Sequence, residues 1–80
     1  MKLPRDLSGS DLAKGLAQFG YTITRQKGSH MRLTTQLGGE HHVTIPCHGA
    51  LRVGTLRSVL DMVATHVGIS REELQQRLWG

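Results

Sequence analysis

Three short alternating segments follow one another with almost no chain between them, and this restricts the fold more than any other feature. Tyr21 to Lys27 opens with Tyr21 and Ile23 on one side and Thr22, Thr24 and Gln26 on the other. Gly28 permits a tight reversal. Ser29 to Thr35 then sets Met31 and Leu33 against His30, Arg32 and Thr34. Gly38-Gly39 signals a second hairpin. Glu40 to Ile45 sets Val43 and Ile45 against His42 and Thr44, and Pro46, which lacks a backbone donor, closes the strand. Half-buried strands with such short links predict an antiparallel meander. One face would be apolar and the other polar and basic. A slip of one residue would exchange the two faces.

Helical patterns flank the meander. Leu12, Leu16 and Phe19 share one face of a predicted helix over Ser8 to Phe19, with Ser8 or Ser10 as cap and Gly20 as stop. Leu56, Val59, Leu60, Val63 and Val67 repeat at helical spacing after Gly54-Thr55, and Gly68 ends that run. Ser70 with Glu73 predicts a capping box for a short third helix carrying Leu74 and Leu78. Phe19, Tyr21 and Trp79 are expected in the core. The expected fold is therefore α+β, in the order α-β-β-β-α(-α): a three-stranded antiparallel sheet with its helices on one face. A chain of 80 residues suffices for one domain, 1–80. A domain this small buries only about 60% of the surface its unfolded chain exposes, so a partner surface would help it. Chemistry would sit on a face or in a shallow groove.

Charge is concentrated where the strands are. Residues 21–60 carry Arg25, Lys27, Arg32, Arg52 and Arg57 against Glu40 alone, which accounts for the whole formal net charge of +4. A polyanion is the partner such a segment suits. No run approaches the ~18 apolar residues of a membrane span, so no membrane partner is expected. The start of the chain shows no apolar run of signal-peptide length. Cys47 is the single cysteine and can form no internal disulfide, which fits a reducing, cytoplasmic setting.

The tripeptide Gly28-Ser29-His30 is the most informative candidate for chemistry. A glycine turn delivers a histidine to the open face of the second strand, with Arg32 on the same side and Lys27 just before the turn. Histidine is the side chain best suited to exchange protons near neutral pH, and cations beside it would hold a phosphate. A histidine that only hydrogen-bonds on a polar sheet face would leave the same local pattern. Ser29 has no acidic residue placed to complete a triad and is not read as a nucleophile. His41, His42, Cys47 and His48 match no zinc spacing, and neighbours on a strand point to opposite faces. The expectation is accordingly no metal and no cofactor. His66, late in the second helical run, suits the helix dipole and is given no function.

An ordered set of motifs resembles the HicA family of bacterial toxins: Gly20-Tyr21, Arg25-Gln26-Lys27-Gly28-Ser29-His30, Ile45-Pro46-Cys47-His48, Gly54-Thr55-Leu56, and Gly68-Ile69-Ser70 with Glu73. The likeness covers nearly the whole chain. It implies a fold like a double-stranded-RNA-binding domain, a metal-independent endoribonuclease (an mRNA interferase) and a HicB-type antitoxin as partner, in a homo- or hetero-oligomer. It also places the functional histidine at His30. Cys47 stands where the family often has a polar or basic residue. With Arg25, Lys27, Gly28, Ser29, Arg32 and His48 as the RNA-binding set, His30 would take the proton from an RNA 2′-hydroxyl. Two other readings fit the same residues: a non-catalytic RNA-binding module and a protein-interaction subunit.

Overall fold

The computed structural model describes residues 3–4, 6–47 and 49–79. Helix α1 (Gly9–Leu16) begins at Ser8, whose hydroxyl accepts from the Asp11 N–H at 3.0 Å while the Asp11 carboxylate accepts from the Ser8 N–H at 3.3 Å. These bonds from Ser8 hold the Asp11 carboxyl below its ordinary range. The helix is shorter than its apolar spacing suggested. After Leu16 the chain tightens into a 3-10 turn, Ala17–Phe19, as helix ends often do. The turn closes at Gly20, whose φ of +83° is the left-handed value that favours glycine.

Strands β1 (Thr22–Lys27), β2 (His30–Thr35) and β3 (His41–Pro46) form one antiparallel sheet in the order β1-β2-β3. Helix α2 (Val53–Val67) packs on β3, and α3 (Arg71–Trp79) packs on α2. The observed class is α+β, in the expected order. Helix α2 starts one residue before Gly54 with no side-chain cap, and Gly68 stops it. Ser70 caps α3 by accepting from the Glu73 N–H at 3.1 Å. The Glu73 carboxylate turns to Arg77, 3.2 Å away, rather than back to the cap. Among the described residues no helix is long and apolar enough to cross a membrane.

The core lies between the sheet and the helices. Leu12 and Leu16 of α1, Met31 and Leu33 of β2, Val43 and Ile45 of β3, and Leu56, Val59, Leu60 and Val63 of α2 are all buried there with Tyr21 and Leu74. Each large apolar side chain removed from water in this way contributes about 1.5–3 kcal/mol before entropy is counted. Phe19, Val67, Leu78 and Trp79 are partly buried against the cluster.

The first strand departs from its sequence reading twice. Ile23 lies opposite Leu33, on the expected side, yet it is 53% exposed. β1 is an edge strand, and the helices cover the sheet only as far as Tyr21. An open groove beyond it is lined by Ala13, Ala17, Tyr21 and Ile23. The second departure is a β-bulge. Ile23 pairs with Leu33 and Arg25 pairs with Arg32, so Thr24 is an extra residue in the ladder. One extra residue reverses the phase of everything after it. Gln26 therefore stands opposite core-facing Met31, not beside Thr22 and Thr24, and Arg25 and Lys27 are carried to the open face.

Candidate functional site

The bulge assembles the basic face. Strict alternation from Tyr21 would have turned Arg25 and Lys27 towards the side of the core. With Thr24 inserted, Arg25 lies opposite Arg32, which lies opposite Thr44, and Lys27 lies opposite His30, which lies opposite Pro46. Residues directly opposite in a ladder share a face, so these two rows form one surface. Neighbouring strands are about 4.8 Å apart and successive same-face rows about 7 Å apart. Arg25, Lys27, His30, Arg32 and Thr44 accordingly line one shallow depression of about 120 Å³. Arg25, Lys27, His30 and Arg32 are all exposed. Among the described residues no carboxylate forms an ion pair with Arg25, Lys27 or Arg32.

The turn that presents His30 is narrowly specified. Gly28 has φ +58°, and Ser29 is not among the residues with positive φ. That is the pattern of a two-residue hairpin with glycine at the first central position, a type II′ turn. Its hand matches the twist of the strands it joins, so Lys27 and His30 emerge directly across from each other. The turn is tied to the end of β3. The Cys47 N–H donates to the Ser29 carbonyl at 2.7 Å, and the Cys47 thiol donates to the Gly28 carbonyl at 3.7 Å. The Gln26 side chain, brought round by the bulge, donates to Cys47 Sγ at 3.8 Å. Cys47 thus has a local role in holding the turn, and nothing in the sequence pointed to it.

The remaining histidines separate by strand parity. His41 lies on the core side, where its Nδ1 meets the Tyr21 hydroxyl at 2.7 Å and its ring stacks on His66 at 4.4 Å. Burial, reinforced by the nearby His66 and His42, holds His41 below its ordinary pKa. His66 bonds through Nε2 to the Leu37 carbonyl at 2.9 Å and so ties the β2–β3 loop to α2. His42 points to the open face, in the row of Thr34, and meets Glu40 at 2.9 Å. His48, expected to help seat RNA, lies outside the described residues.

A face that sets the exposed His30 imidazole beside cations with no carboxylate partner among the described residues has the chemistry to hold a phosphodiester. The family model described as HicA toxin of bacterial toxin-antitoxin matches residues 9–64, the span from α1 into α2 that contains the sheet and its open face. The chain belongs to the HicA toxin family. It matches no curated protein and no solved structure. Family membership makes it a toxin of a toxin–antitoxin system. In this HicA chain the Gly28-Ser29-His30 turn, Arg25, Lys27 and Arg32 fall together on one surface.

Proposed function

We propose that this HicA toxin is an endoribonuclease whose open sheet face binds the RNA backbone and whose His30 acts as the base. The observation that carries the reading is the placement of His30: exposed, directly opposite Lys27, and flanked on its own strand by Arg32. The imidazole of His30 takes the proton from a ribose 2′-hydroxyl. That oxygen then forms a bond to the adjacent phosphorus as the bond from phosphorus to the 5′-oxygen breaks. The products are a 2′,3′-cyclic phosphate and a free 5′-hydroxyl, the leaving oxygen taking up a proton. Arg25, Lys27 and Arg32 stabilise the charge that grows on the non-bridging oxygens. Gly28 and Ser29 let the strand pass close to the turn. A base placed in this way supplies about 10²–10⁴-fold of rate. The chemistry needs no cofactor.

A HicB-type antitoxin would silence the toxin by covering this face, and the complex would also stabilise a domain of this size by mass action. Expression in bacteria tests the reading. Wild type should arrest growth and deplete messenger RNA, while His30→Ala, expressed to the same level, should do neither. Arrest by both proteins with RNA left intact would point instead to a module that binds without cutting.

A further inference from the structure

The open face holds a second, differently built patch. The Thr24 hydroxyl, displaced by the bulge, meets the Thr34 hydroxyl at 2.8 Å. Thr34 Oγ1 meets His42 Nδ1 at 2.7 Å, and His42 Nε2 meets Glu40 Oε2 at 2.9 Å. Gln36 donates to the other Glu40 oxygen at 3.4 Å. The chain of contacts ends in a carboxylate whose side chain is 61% exposed. Both ring nitrogens of His42 are taken up by these neighbours. Its row lies four residues along β2 from His30, about 13 Å away. That is too far to serve the same phosphodiester.

Glu40 is the only acidic residue between positions 21 and 60, and it stands on the face where a polyanion would lie. A carboxylate repels phosphate, so its value on this face lies in another part of the nucleotide. An ionised carboxylate only accepts hydrogen bonds, and each oxygen keeps a lone pair after the bonds already made. The hydrogen bonds from His42 and then Gln36 hold its carboxyl below the ordinary range, which keeps it in the accepting form. Among the standard RNA bases, guanine alone presents two adjacent N–H donors on its Watson–Crick edge. Single-stranded RNA exposes that edge to side chains.

We propose that Glu40 reads the Watson–Crick edge of a guanine flanking the cleaved bond, with His42, Thr34 and Thr24 holding its carboxylate in position. The inference rests on the nuclease reading and adds a specificity subsite to it. Glu40 is the determinant, and His42 acts through it as a positioning residue.

The test uses a DNA strand containing a single ribonucleotide, which fixes the cleaved bond, with one guanine walked through the flanking positions. An all-RNA strand serves as control. Wild type should show one flanking position at which guanine raises kcat/KM by about five-fold or more over adenine or uracil, the lower end expected of a paired readout. Inosine, which lacks the exocyclic amine, should fall between. Glu40→Gln should bring the ratio close to one. His42→Phe should lower it with Glu40 still present, and His42→Gln, which can still donate to the carboxylate, should restore part of it. Cutting with no guanine effect, or a ratio that survives Glu40→Gln, overturns the subsite and leaves the nuclease reading standing. If neither strand is cut by wild type, the nuclease reading fails and the subsite with it.

Discussion

Excising Thr24 from the chain distinguishes the two ways in which β1 can present its cations. In the bulged ladder Ile23 pairs with Leu33 and Arg25 with Arg32, so removing the extra residue closes the ladder with every partner kept. Arg25 and Lys27 then stay on the open face. In a strand that alternated regularly from Thr22 to Lys27, the same excision would move residues 25–27 to the opposite face. The cost is readable from the contacts. The Thr24 hydroxyl is lost with its bond to Thr34 at 2.8 Å and its long contact to the Arg32 carbonyl at 3.4 Å, but Thr34 keeps its bond to His42 at 2.7 Å and is not orphaned. One ordinary hydrogen bond is worth about 1 kcal/mol, and urea unfolding should show a loss of about that size. The second assay is the salt dependence of binding to a strand lacking 2′-hydroxyls, which cannot be cut. Each phosphate contact on a single strand adds about 0.7 to the slope of log K against log salt, so three cations give about 2. The deletion should leave that slope unchanged, whereas Arg25→Ala with Lys27→Ala should lower it by about 1.4. A change of that size in the deletion variant, in either direction, would refute the bulge as the device that sets the face.

Four further outcomes follow from the same fold. Gly28→Ala should cost about 1–2 kcal/mol through backbone strain alone, because its φ is +58° and a Cβ there meets nothing. Gly9→Ala should cost at least about 1–3 kcal/mol by overpacking, because its Cβ would run into the Pro46 carbonyl at the end of β3; thermal unfolding of the pair should rank them in that order. Burial, with His66 and His42, lowers the folded pKa of His41, so below its ordinary value of 6.5 the unfolded chain binds this proton more readily. Stability should therefore be complete above about pH 6.5 and fall as pH drops through the lowered value, and His41→Phe should flatten that dependence in urea titrations at successive pH values. Gln75 is buried and its Nε2 has no partner among the described residues. Gln75→Met should raise the urea midpoint by the equivalent of about 1 kcal/mol, and a lower midpoint would show that the amide is in fact satisfied.

Much of the fold could be read locally because its signals are local. The alternation of β2 and β3, the glycine turn before His30, the Ser70 cap and the apolar spacing of α2 each depend on residues a few positions apart, and each appears in the structure. Ile23 departs from the apolar pattern for a non-local reason. Alternation gave its side of the sheet correctly, but β1 is an edge that the helices do not cover there. The bulge leaves a mark in the sequence. Arg25 and Lys27 fall in phase with Tyr21 and Ile23, and two cations on an apolar face are a conflict that a phase reversal relieves. Ser8 rather than Ser10 caps α1 because Asp11 completes the reciprocal pair three residues on. The ties of Cys47 to the turn and of His66 to His41 and Leu37 join segments 18 to 29 residues apart, and no periodicity reports on such contacts.

The proton transfer assigned to His30 is tested most directly by the cleavage rate of purified His30→Ala beside wild type on the single-ribonucleotide strand, with the product ends identified. Wild type should leave a 2′,3′-cyclic phosphate and a 5′-hydroxyl. The variant should be slower by about 10²–10⁴-fold while still binding the uncuttable strand through Arg25, Lys27 and Arg32. Equal rates, or wild-type products ending in a 5′-phosphate, would contradict the mechanism.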